Sequence, residues 1–141
     1  MKQQIEALNR LAGLRGSKVR QLLGQIRYQQ SLCQRYRNNI AGLGRLCEFT
    51  VPANTPLQRD NQQRYKATLY KMMELQRREL AVAEQALARI QRELQQAMRS
   101  ERLVQQVIDA KLAEWQQLLA RQEQKLQDGL AAQTWWRGQQ P

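Results

Sequence analysis

Few side chains in this chain could do chemistry, and their spacing works against it. Histidine, the commonest general base and metal ligand, is absent. Cys33 and Cys47 are the only cysteines. They fall on one predicted helix, roughly 21 Å apart, too far to bridge within the chain. A structural zinc site needs about four convergent ligands, and two isolated cysteines on a helical seam do not supply them. The carboxylates are strung along helical segments, where pairs such as Glu74 and Arg78 sit four residues apart on a solvated face. The glycines lie inside or just after helical segments, so no phosphate-cradling loop is present. The pattern points away from catalysis, cofactors and resident metals, and towards a protein that works by binding.

One aromatic group stands out. Trp135 and Trp136 adjoin Arg137 within AAQTWWRGQQP. They read either as a frayed helix end or as a C-terminal anchor that becomes buried on a partner, a role in which Trp and Arg are over-represented.

Charge narrows the partners. The formal charge is +11, from 23 Lys and Arg against 12 Asp and Glu. Residues 1–58 hold 9 basic and 2 acidic groups, residues 59–141 hold 14 and 10, so the first part is the more basic. Such a balance favours acidic partners. Nucleic-acid recognition would place Lys and Arg in a stripe or in a basic block ahead of the heptads. Here Arg10, Arg15, Lys18, Arg20, Arg27, Arg35, Arg37 and Arg45 are spread around the helix, and no nucleic-acid partner is expected. No window is apolar enough to span a membrane, and the opening MKQQIEALNR is amphipathic from its first turn, unlike a secretory signal. The two unbridged cysteines suit a reducing cytoplasm.

The elements that carry these residues are two. In the first arm an apolar seam runs through Ile5, Leu8, Ala12, Arg15, Val19, Leu22, Ile26, Gln29, Cys33, Tyr36, Ile40, Leu43 and Cys47, with only Arg15 and Gln29 breaking it. Steps of three and four kept up this long predict a coiled coil. Gly13, Gly16 and Gly24 fall off that seam. Gly42 and Gly44 then weaken the helix before the segment EFTVPANTP. Thr55-Pro56-Leu57-Gln58 reads as an N-cap, a first-turn proline and a capping-box glutamine. The second seam runs Leu69, Met73, Gln76, Leu80, Ala83, Leu87, Ile90, Leu94, Ala97, Glu101, Val104 and Ile108. It then shifts by a stutter to Leu112, Trp115, Leu119, Gln122 and Leu126. The expected fold is all-α: one domain over 1–141, an antiparallel two-helix coiled-coil hairpin with a longer second helix. Helix 1 covers about 2–47, the turn 48–55, helix 2 about 56–133 and a tail 134–141. The last two to three dozen residues of the second arm then lack an intrachain partner.

Several strings, in their order around such a hairpin, resemble the FliJ family, the small stalk proteins of the flagellar type III export apparatus. In the first arm these are Leu8-Asn9-Arg10-Leu11-Ala12, Leu22-Leu23-Gly24-Gln25-Ile26-Arg27 and Tyr36-Arg37-Asn38-Asn39-Ile40. In the second arm they are Thr68-Leu69-x-Lys71 with Gln76-Arg77-x-x-Leu80, and Gln124-Lys125-x-x-Asp128-x-x-Ala131. The resemblance covers nearly the whole chain. The first arm is shorter than usual, the turn contains proline, and the end carries Trp-Trp. These departures leave open the equivalent stalk of a virulence type III secretion system, and, from another class, a basic coiled-coil binder of nucleic acid or membrane surfaces.

The resemblance implies a non-enzymatic component of flagellum biogenesis and protein transport, cytoplasmic and peripheral at the cytoplasmic face of the bacterial inner membrane. Its implied partners are a hexameric export ATPase, the cytoplasmic domain of the export gate, an ATPase stator or regulator protein, and export chaperones. Membrane contact would come only through the apparatus. Carried over by position, the gate-docking stripe is Tyr65, Leu69, Met72 and Gln76. Of these, Leu69 and Gln76 also fall in the seam register, while Tyr65 and Met72 lie beside it.

Overall fold

The computed structural model describes residues 1–49 and 51–139. Thr50 of the expected turn, and Gln140 and Pro141 of the expected tail, lie outside the described residues. Two helices account for nearly all of it: α1, Lys2–Glu48, and α2, Pro56–Gly138, with no strand among the described residues.

The turn follows from local chemistry. Proline restricts the residue before it to extended backbone, so Val51-Pro52 cannot continue α1. The last bond of the α1 ladder runs from the Phe49 N–H to the Arg45 carbonyl at 3.2 Å. No described residue takes a positive φ, so the chain reverses without a left-handed glycine. Pro56 opens α2, where its missing N–H would be unpaired anyway. The Gln58 N–H donates to Thr55 Oγ1 at 3.2 Å. The return bond departs from a standard capping box: Gln58 Oε1 accepts from the N–H of Asn54, not of Thr55, at 2.8 Å. The glutamine thereby ties one more loop residue to the helix end.

The far end of α2 differs from expectation. A tail from residue 134 is replaced by helix to Gly138. Gly129 costs only about 1 kcal/mol relative to Ala and does not end the helix. Nothing between it and Gly138 breaks the ladder, and Thr134 Oγ1 donates back to the Leu130 carbonyl at 2.9 Å.

The sequence reads as one coiled-coil domain; in the structure the chain falls into two compact units, Val19–Gln96 and Met1–Lys18 with Ala97–Pro141. In the first, Leu22, Ile26 and Cys33 of α1 and Leu69, Met73, Ala83 and Ile90 of α2 are buried. The helices here are antiparallel. Cys47 meets Met73 (Sγ to Sδ 3.9 Å), Asn39 Nδ2 donates to Gln76 Oε1 at 3.0 Å, and Arg37 pairs with Glu84 at 3.1 Å, so α2 numbers rise as α1 numbers fall. Gln29, the polar break, is half-buried and its Oε1 is buried with no partner.

In the second unit Ile108 is buried, while Ile5, Leu8 and Ala12 are partly covered. Two expectations are corrected here. Arg15 is exposed and Gly16 is partly covered in its place. An unpaired guanidinium loses too much hydration in a seam, and the neighbouring glycine takes the covered position. After Ile108 the covered residues are Lys111 and Trp115, while Leu112 is exposed. The heptad therefore continues without a stutter. Lys111 can occupy a seam position because its stem lies along apolar surface while its ammonium reaches Glu114 at 3.6 Å.

Two variants test this construction by denaturant unfolding. Leu22→Ala should cost about 2–5 kcal/mol as a core cavity. Thr55→Ala should cost about 1 kcal/mol as a lost cap.

Candidate functional site

Two of the surfaces that the seam leaves uncovered carry the residues expected to bind partners. The first lies beside the turn. Positions 65, 69, 72 and 76 follow steps of four and three and share a helix face, but their neighbours divide them. Leu69 is 4% exposed and belongs to the core. Gln76 is half-buried and accepts the bond from Asn39. Tyr65 (54% exposed) and Met72 (46% exposed) are open to solvent.

Each exposed member edges its own depression. Met72, Leu75 and Gln76 of α2 face Asn39, Gly42 and Leu46 of α1 across an apolar groove. Gly42 lines that groove without a side chain. A Cβ there would meet nothing closer than Arg45 Nη2 at 3.8 Å, so the packing itself does not require glycine. Tyr65 edges a second depression with turn residues Phe49, Val51 and Pro52. Leu46, Leu75, Phe49 and Val51 were not singled out from sequence. The available signal was apolar residues in a proline-containing turn and just off the heptad seam.

The second surface is the end of α2. Every residue from Gln116 to Gln139 is exposed. That is roughly 35 Å of helix with no intrachain cover. The expected seam positions Leu119, Gln122 and Leu126 are therefore bare. Leu130, Trp135 and Trp136 are exposed as well, the two indoles tilted at 38° with centroids 6.5 Å apart. Arg137 lies in the last turn, where its charge suits the negative end of the helix dipole.

Among the described residues no group of three or more Cys, Asp or Glu could hold a metal, and no helix is long and apolar enough to cross a membrane. What the described residues offer is apolar surface along helices. The family model for the flagellar FliJ protein matches residues 3–140. The chain belongs to the FliJ family. Membership makes it a stalk-type component of the flagellar export apparatus, a structural protein of flagellum biogenesis and protein export that associates with other parts of that apparatus. No curated protein and no solved structure matches the chain. The FliJ-family hairpin is thus joined here to a proline-containing turn with exposed Phe49 and Val51, and to a helix end bearing two tryptophans.

The division of the stripe makes a direct prediction for thermal unfolding. Leu69→Ala should lower stability by about 2–5 kcal/mol, as for other core truncations. Tyr65→Ala combined with Met72→Ala should change it by no more than about 0.5 kcal/mol per residue, the range for exposed positions.

Proposed function

We propose that the chain is the central stalk of the flagellar type III export apparatus, linking the export ATPase to the export gate. The observation that carries this reading is the bare end of α2, an ordered helix whose apolar residues have no partner within the chain. Leu119, Leu126, Leu130, Trp135 and Trp136 have large apolar surface in water. Covering such side chains on a partner is favourable by about 25 cal/mol per Å² of apolar area, before the cost of association. A ring-shaped partner, such as the hexameric ATPase, can surround a single helix end on several sides at once. The basic excess of the chain favours an acidic lining in that ring.

At the other end, Tyr65 and Met72 supply the contact with the cytoplasmic domain of the export gate. Both are accessible without disturbing the seam, whereas Leu69 and Gln76 support them from within. Trp135, Trp136 and Arg137 act as the terminal anchor on the ATPase side. The stator or regulator of the ATPase and the export chaperones are further partners of the assembled stalk. In this reading the protein works in the cytoplasm, at the inner face of the membrane, and reaches the membrane only through the gate.

The test is a paired binding measurement with purified export ATPase and the cytoplasmic gate domain. Leu119→Asp with Leu126→Asp should weaken ATPase binding about ten-fold or more, the scale of losing interface anchors, and leave gate binding unchanged. Tyr65→Ala with Met72→Ala should do the reverse. Loss of neither interaction in either variant would reject the assignment of the two ends. A nucleic-acid shift at physiological salt tighter than ATPase binding would favour the basic-binder alternative.

A further inference from the structure

The depression beside the turn is more specific than a docking stripe requires. Phe49, Val51 and Pro52 form one side of it, and Gln58, Tyr65 and Lys66 of α2 form the other. Phe49 is 71% exposed, and Val51 is also exposed. The turn does not need these side chains to form. Its geometry is held by the two prolines and by the bonds between Gln58 and both Asn54 and Thr55. Two large apolar residues are thus left in water beside a tyrosine ring.

The walls are apolar or neutral except for one residue. Lys66 is the only charged residue among those described around the depression, and it forms no ion pair with any described residue. It is half-buried, its position following the covered Gln62 and preceding buried Leu69, so the stem is restrained while the ammonium lacks a counter-charge. The nearby carboxylate of Asp60 is already engaged by Arg64 at 3.2 Å. Exposed Arg45 and Arg59 add positive charge around the turn, offset in part by exposed Glu48 beside Phe49.

A concavity with apolar walls and one unpaired cation selects among occupants. A bilayer surface presents no discrete side chain to fill it. A nucleic acid meets the cation but not the apolar walls. A polypeptide segment with an apolar side chain close to a carboxylate meets both.

We propose that the turn of this hairpin is a socket for a single apolar anchor side chain from a partner segment that also carries a carboxylate, paired with Lys66. The inference rests on the reading that the export gate docks at Tyr65, because Tyr65 forms part of the socket wall. It adds the turn residues and a charge requirement to that contact.

The test uses the full chain, titrated calorimetrically with the cytoplasmic gate domain. Phe49→Ala and Lys66→Gln should each weaken binding about ten-fold, as expected for an anchor wall and for a desolvated charge pair. Lys66→Arg should restore most of the affinity lost in Lys66→Gln. Added salt should weaken the unaltered chain more than Lys66→Gln, since only the former loses a screened pair. Melting temperatures recorded alongside should show that the variants remain folded. If Met72→Ala weakens gate binding while folded Phe49→Ala and Lys66→Gln bind normally, the socket is overturned and the stalk reading stands. If the unaltered chain fails to bind the gate domain, both are overturned. Sedimentation with phosphatidylglycerol-containing vesicles that is lost in Phe49→Ala would overturn the socket in favour of membrane contact.

Discussion

The structure depends on burying a narrow apolar strip between two helices that would be marginal alone. An isolated helix in water gains little per residue, and most helical stability in proteins comes from packing one face. In this chain α1 contains five glycines, each costing up to about 1 kcal/mol against Ala, so its 47 residues are unfavourable as a free helix. Leu22, Ile26 and Cys33 stabilise it through their burial in the same compact unit as Leu69, Met73, Ala83 and Ile90. The direction of pairing is marked by polar contacts at the margin of the strip, from Asn39 to Gln76 and from Arg37 to Glu84. The exposed ion pair adds little stability itself, about 0–1 kcal/mol. An offset pairing would still lose such matches along with the apolar ones.

Because the strip is narrow, most of each helix remains available. Residues on the same face of α2 can therefore differ sharply in exposure: Leu69 is buried in the hairpin while Tyr65 and Met72 are open to solvent. The same economy applies along the chain. Where α1 ceases to cover α2, beyond Trp115, the longer helix keeps its backbone bonds internally satisfied and continues with exposed apolar side chains. A helix needs no neighbour to complete its hydrogen bonds, unlike a strand, so an uncovered end can remain ordered and await a partner.

Much of this was legible in the sequence, for physical reasons that vary by region. The second seam from Leu69 to Ile108 matched the covered positions because its heptads are regular and no glycine interrupts them. Thr55, Pro56 and Gln58 announced the start of α2 because capping chemistry is local. What failed was where two local rules compete. Arg15 fits the heptad by number but not by charge, and covered Gly16 shows that desolvation outweighed spacing. Lys111 takes the seam position where the sequence suggested a stutter to Leu112, because its ammonium escapes to Glu114 and the register is kept. Heptad counting sees side chains as single points, whereas a lysine is apolar along its stem and polar only at its tip. The depression beside the turn was not legible, because it depends on how Phe49 and Val51 from the turn lie against Tyr65 and Lys66 from α2.

The central claim is that one α2 helix contains both a segment already stabilised within the chain and a segment whose cover comes from the export ATPase. Hydrogen exchange of backbone amides, with and without the purified ATPase, measures both at once. The account predicts that amides around Leu69–Ile108 are protected in the free chain and little altered by the ATPase. Those from Gln116 to Gly138 should exchange faster in the free chain and become protected when the ATPase is added. Protection of the 116–138 segment in the free chain equal to that of the hairpin, or no gain of protection there on binding, would contradict it.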